Sequence, residues 1–168
     1  MQITPAKISD VPTLCELLSI LFSQEAEFKP NHEAQRRGLT QIISNPEIGL
    51  IVVARQGSEV IGMANLLYTV STALGERVAL LEDMVVSPNA RGSGIGSRLL
   101  EQTILLAHAN GCKRITLLTD STNEPAQRFY QTHGFGFSAM VPLRLSLSEL
   151  CPTHHSSGTP DGAPQLKR

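Results

Sequence analysis

The 168-residue sequence predicts a single domain of the α+β (α/β) class, and three observations carry that expectation. Apolar runs of strand length are interspersed with segments whose apolar residues recur at helical spacing, in the order β-α-α-β-β-β-α-β-α-β. Hydrophobic residues make up 41% of the chain and charged ones 17%, enough for one sizeable core. A glycine-rich turn, residues 91 to 97, joins a long apolar strand to a helix.

Each element follows from local pattern. Ile3 to Ile8 reads as a short strand, and Ser9-Asp10 ahead of Val11, Leu14, Leu17, Leu18, Leu21 and Phe22 marks a capped helix with one apolar face. A polar bridge, Gln24 to His32, leads to a second, more polar helix, Glu33 to Ser44, with Leu39, Ile42 and Ile43 on one side and Pro46 beyond its end. Leu50 to Arg55, the turn Gln56-Gly57-Ser58, and Val60 to Tyr68 form a hairpin whose apolar runs alternate imperfectly, with Gly62 as the sign of a bulge. Ser71 to Arg77 is a loop, and Val78 to Val86 is an apolar strand interrupted by Glu82 and Asp83. Ser97 to Asn110 is a helix stopped by Gly111. Ile115 to Thr119 is a strand, and Glu124 to His133 is a helix with Pro125 in its first turn. Gly134-Phe135-Gly136 then leads into a weaker extended stretch ending near Leu147. Residues 1–150 form the domain, and 151–168, rich in Pro and Gly among Ser, Thr and His, reads as a flexible tail.

Composition excludes several functions. Fourteen basic against 15 acidic residues leave a net charge of −1, so there is no electrostatic excess for nucleic acid or an anionic membrane. No apolar run of membrane-spanning length and no leader pattern occurs, so the chain reads as cytoplasmic. Cys15, Cys112 and Cys151 are odd in number and widely spaced, which suggests reduced thiols. His32, His108 and His133 are isolated and His154-His155 falls in the tail, so no metal site is expected.

The most informative stretch runs from Ala79 through Ser97. Glycines at 92, 94 and 96 remove side chains where the backbone bends, so several N–H groups can face one anion at the positive end of the following helix. The alternative is a tight turn whose glycines only relieve steric strain. A P-loop is excluded because Gly96-Ser97-Arg98 lacks the required Gly-Lys-Ser/Thr, and a dinucleotide fingerprint would need a glycine at Ser97.

Arg91, Gly94 and Gly96 after Val85-Val86 resemble the acyl-CoA loop of the GNAT superfamily of N-acetyltransferases. Asn123, Ala126, Phe129-Tyr130 and Gly134-Phe135 resemble that family's second signature at its usual distance. The likeness covers about Ile3 to Leu147. It implies a mixed, mostly antiparallel sheet flanked by helices, with parallel strands 79 to 86 and 115 to 119 splaying to admit the pantetheine arm. It implies transfer of acetyl from acetyl-CoA, as cosubstrate, directly to an amine of a small molecule or peptide, and a homodimer as a common arrangement. Acyl-CoA contacts are implied from Met84, Val85 and Val86, from Arg91, Gly92, Ser93, Gly94, Ile95, Gly96 and Ser97, and from Asn123 and Phe129.

Amine acylation needs a neutral nucleophile, whereas an alkylammonium has a pKa of about 10, so a carboxylate base speeds it. Glu82 is the expected base. Because strand side chains alternate, only one of Glu82 and Asp83 is expected on a given face of the sheet. By resemblance, N–H groups near Met84 and Val85 face the oxyanion, and Tyr130 protonates the departing thiolate. Asn123 holds the pantetheine arm, caps the helix before Pro125, or does both. Glu25, Glu27 and Glu33 hint at a cationic acceptor, a pattern that a solvated helix face also explains. The competing function is an acyl-CoA-binding regulatory module without catalysis; a nucleotide-dependent oxidoreductase ranks third.

Overall fold

The computed structural model describes residues 1–24 and 29–147. Among the described residues, all of the regular structure lies in the unit Met1–Phe135. β1 (Gln2–Pro5) is shorter than expected, because the chain turns into a 3-10 helix at Ile8–Asp10. α1 (Val11–Phe22) follows, but Asp10 does not cap it. The Asp10 carboxylate instead accepts from the Lys7 backbone N–H at 2.7 Å and from the Arg55 guanidinium, tying the start of α1 to the sheet. α2 (His32–Ser44) begins at Asn31, whose side chain accepts from the Ala34 N–H.

β2 (Gly49–Gln56), β3 (Glu59–Ser71) and β4 (Glu76–Val86) form an antiparallel meander, and β5 (Ile115–Leu117) adds in parallel to β4. With β1 antiparallel to β2, the order is β1-β2-β3-β4-β5. The expected loop at Ser71 to Arg77 is instead the tip of a hairpin, since ladder pairing continues to Ser71–Glu76 and needs no buried side chains. Near Gly62, Ala54 pairs with Gly62 while Arg55 pairs with Val60, so the extra residue of the bulge is Ile61.

The sheet is covered on both faces, which explains the imperfect alternation of its strands. Ile51, Val53, Met63 and Val85 pack with Val11, Leu14, Leu18 and Leu39 of α1 and α2. Val52, Ala54, Ala64, Leu66 and Leu81 pack with Leu99 and Leu100 of α3 (Ile95–Ala109). Leu14, Leu99 and Leu100 are fully buried, and truncating any of them to Ala costs about 2–5 kcal/mol. Thr103, also fully buried, satisfies its hydroxyl on the Leu99 carbonyl at 2.7 Å. α4 (Glu124–Thr132) adds Phe129 and Tyr130 to the α3-side cluster.

Residues from Gly136 onward form a separate unit, of which 136–147 are described. Among the described residues of this unit no strand forms, contrary to expectation. Val141, Leu143, Leu145 and Leu147 alternate as in a strand and are exposed, but alternation specifies a face rather than a partner, and Pro142 withholds a ladder donor. The expected tail, with Cys151 and His154-His155, lies outside the described residues.

Candidate active site

The centre of the site is a second bulge. Asn65 pairs with Asp83 and Leu66 with Leu81, leaving Glu82 as the extra residue of β4. Leu81 and Met84 both join the α3-side cluster although three residues apart, whereas Val85 joins the opposite one. The two-residue period therefore breaks across Glu82-Asp83. Both carboxylates are kept off the α3 side, which corrects the expectation that alternation would separate them.

The bulge also sets the backbone. Ala79 N–H donates to Arg114 C=O, on the β5 side, whereas Ser87 N–H donates to Ile61 C=O, on the β3 side. Counting back by twos from Ser87, Val85 and Asp83 face β3, and the N–H and C=O groups of Met84 and Val86 face the other way. β5 pairs only with Ala79 to Leu81, so that edge of 82–86 has no strand partner among the described residues. By this count the Met84 and Val86 N–H groups lie on the edge without a strand partner among the described residues, whereas the Val85 N–H points to β3.

Two residues beyond the strand end begins a 3-10 turn, Pro88–Ala90, and then the glycines. Arg91 Nε donates to the Val86 carbonyl at 3.0 Å, tying the turn to the end of β4, and Ser93 Oγ donates to the Ala90 carbonyl at 2.9 Å. Gly92 and Gly94 have φ of 79° and 75°, a left-handed backbone that disfavours side chains, so steric relief is a real part of their role. α3 starts at Ile95, and its first intrahelical bond in this turn is Arg98 N–H to Gly94 C=O at 3.2 Å. The N–H groups of Ile95, Gly96 and Ser97 are left at the positive end of the helix, an arrangement suited to an anion.

A profile of the acetyltransferase (GNAT) family matches residues 12–135. The chain belongs to the GNAT acetyltransferase family. It is 33% identical over 138 residues to the uncharacterized N-acetyltransferase YhfO of Bacillus subtilis (strain 168), covering 80% of this chain and 89% of that protein. It is 26% identical over 134 residues to the aminoalkylphosphonate N-acetyltransferase of Salmonella typhimurium (strain LT2), covering 80% and 84%. Among solved structures, an integron cassette protein from the mobile metagenome of Cole Harbour Salt Marsh superposes with a TM-score of 0.76 at 29% identity, covering 87% of this chain and 90% of that one. The mixed, mostly antiparallel sheet with its parallel β4–β5 pair is the fold expected of a GNAT chain.

The second GNAT signature folds as α4. Asn123 caps it, its side chain accepting from Ala126 N–H at 3.2 Å. Phe129 lies edge-on to Tyr130 with centroids 5.3 Å apart, and a Cβ on Gly96 would sit 3.7 Å from the Phe129 ring. α4 is thus packed against the first turn of α3. Tyr130 stands edge-on to Phe135 as well, and burial pushes its phenol up to about 12.

Glu82 is exposed and Asp83 half-buried. Partial burial raises the Glu82 pKa and the neighbouring Asp83 charge raises it further. Burial raises Asp83 too, against the hydrogen bond that Asn65 Nδ2 donates to Asp83 Oδ2 at 2.8 Å. Asn65, Gln35 and Gly38, which share a cavity with Asp83, were not picked out from sequence. The signals were present: a polar Asn inside the apolar run Met63 to Leu67, and a glycine inside the apolar stripe of α2. Phe22 of α1 and several residues of α2 line the same cavity. Glu33 pairs with Arg37 at 3.1 Å on an exposed face, the solvated-face reading; Glu25 and Glu27 lie outside the described residues.

Cys15 and Cys112 are buried free thiols. Among the described residues no cluster of three His, Cys, Asp or Glu side chains could hold a metal ion, and no helix is long and apolar enough to cross a membrane.

Proposed function

We propose that this chain moves an acetyl group from acetyl-CoA directly to the amine of a small molecule. The observation that carries this reading is the backbone edge of Met84 and Val86, which has no strand partner among the described residues and lies between a glycine turn at a helix N-terminus and a bulged carboxylate pair. A pantetheine arm carries amide groups that an open strand edge can pair, and its pyrophosphate suits Arg91 and the 92 to 97 backbone. Asn123, whose side-chain oxygen is engaged in the cap, still has its Nδ2 to donate to the arm, and Phe129 closes the turn from the α4 side.

On this reading Glu82 takes a proton from the acceptor ammonium, directly or through water, since its raised pKa brings it nearer the working pH of a general base. The amine lone pair then attacks the thioester carbonyl. The Met84 N–H donates to the oxyanion, and collapse expels the thiolate towards the Tyr130 hydroxyl. Incubating the protein with acetyl-CoA and a panel of amines, while reading free thiol, is the test. Amine-dependent thiol release is the expected result. Tight acetyl-CoA binding without any release would favour a regulatory acyl-CoA-binding module instead.

A further inference from the structure

Residues 137 to 147 place an apolar side chain at every second position, Phe137, Ala139, Val141, Leu143, Leu145 and Leu147, between mostly polar neighbours. That alternation is the pattern of a strand with one face to bury. Yet the five large side chains of the face are 70% to 96% exposed. At the roughly 60–120 Å² each that their transfer free energies imply, they make an apolar stripe on the order of 500 Å², the size of patch by which soluble proteins meet a partner. Prolines apart, residues 148 to 168 carry only Leu150, Cys151, Ala163 and Leu166 as apolar side chains, too few to cover it. The cover therefore comes from outside the chain.

The same chain carries the matching edge. β5 pairs with β4 through Ile115, Thr116 and Leu117, and Arg114 C=O accepts from Ala79 N–H at 2.9 Å. Arg114 and Thr116 thus turn their backbone groups to β4, whereas Ile115 and Leu117 turn theirs outward, to an edge with no strand partner among the described residues. Ile115 and Leu117 are only partly buried against the α3-side core, and Leu118, next in sequence, is exposed. Such an edge is a template for a further strand. Phe135 is fixed by its edge-on contact with Tyr130 and by its N–H to Tyr130 C=O at 3.2 Å. Gly136 follows it, where a Cβ would meet nothing within 4 Å, and a glycine there gives the backbone the freedom that strand exchange asks of a hinge.

We infer that two copies of this chain exchange these arms, the 137–147 segment of one adding as a strand to the outer edge of β5 of the other. The strand in need of a sheet and the edge in need of a strand are both present in every copy, so exchange about a two-fold axis satisfies both and closes at two chains. Pro142 takes the outer side of the arm, where its missing N–H costs no ladder bond and no further strand can add. The N–H groups of Leu143 and Leu145 then face β5. Two arms withdraw roughly 1,000 Å² of apolar side-chain surface from water before the surface they cover is counted, enough for a specific interface.

Sedimentation equilibrium of the full chain at micromolar concentration should give twice the chain mass, and the double substitution Leu143→Glu, Leu145→Glu should halve it. A cooperative melt checks that the variant is folded. Amide exchange locates the interface. The N–H groups of Ile115, Leu117, Leu143 and Leu145 should exchange roughly tenfold or more slowly in the dimer than in the monomeric variant. Were the charges to unfold the chain, the wild-type mass and amide pattern decide alone. A monomeric wild type overturns the inference: with Leu143 and Leu145 protected, the arm closes on its own β5, and with the protein taken up by phosphatidylcholine vesicles, the stripe meets lipid. A dimer that survives the double substitution, or one in which these four amides exchange freely, puts the interface elsewhere and overturns it equally.

Discussion

Asp83 and Glu82 are held where burial works against their charged forms, and the sign of that effect can be measured. A carboxyl whose folded pKa lies above its unfolded value favours the fold while protonated. Its contribution is complete below about pH 4 and is lost as pH rises through the raised value. At neutral pH the pair is therefore a liability to the fold. Asp83→Asn, which keeps the shape and an acceptor for Asn65 Nδ2, should raise the melting temperature at pH 7, and the gain should shrink towards pH 4. Melts across that range check it; an equal melting temperature at every pH would mean that the carboxylate is fully solvated. Tyr130 differs because its raised pKa keeps it protonated at any working pH. Full transfer from a phenol at about 12 to a thiolate near 8.5 is uphill, so on the proposed reading the hydroxyl would act chiefly by hydrogen-bonding the thiolate as it leaves. Tyr130→Phe should lower turnover roughly 10²-fold, leave acetyl-CoA affinity nearly intact, and matter less for thioesters of more acidic thiols. Full turnover, or an equal deficit on every thioester, would leave Tyr130 a packing residue.

At the scale of elements, local pattern located the four α-helices among the described residues, because each has an apolar face, whereas the two 3-10 turns went unread and the misjudged ends have local causes. α3 begins at Ile95 rather than Ser97, since Gly94 with φ of 75° completes the turn by itself. The β3–β4 hairpin runs on through polar residues because a ladder is made of backbone, which composition does not report. The bulge at Glu82 was hidden for a related reason: it is defined by what Asn65 and Leu66 pair with, a relation between strands rather than a pattern in one. The carboxylate pair was legible as an anomaly, but not its shared face. Gly38 gives the element-scale prediction. A mid-helix glycine with open space around its missing Cβ can be replaced without a clash, so Gly38→Ala should stabilise α2 by about 1 kcal/mol. For a chain of this size that is roughly 2–4 °C in melting temperature. A loss of stability instead would show that the glycine serves the fold and not the cavity.

For the molecule as a whole, the strand order leaves a sheet that is strong on one side and open on the other. β1 to β4 are joined by long ladders, whereas β5 holds β4 by three residues, and the edge from Glu82 to Val86 has no strand partner among the described residues. A cosubstrate that pairs with this edge and also grips the turn at the start of α3 binds only the folded chain, so it must raise the melting temperature by mass action. At a hundred times its Kd acetyl-CoA contributes about 2.7 kcal/mol, which for a chain of this length is roughly 5–10 °C. Gly94→Val separates the two roles of the glycines. A β-branched residue at φ of 75° is strained, so the variant should melt lower without ligand, whatever the turn binds. The decisive quantity is the increment that acetyl-CoA adds. If the turn holds pyrophosphate through its backbone, the valine side chain blocks close approach, affinity falls on the order of tenfold, and the increment shrinks at fixed ligand concentration. An undiminished increment on a lowered baseline would assign the glycines to the turn alone and leave the open strand edge as the main grip on the cosubstrate.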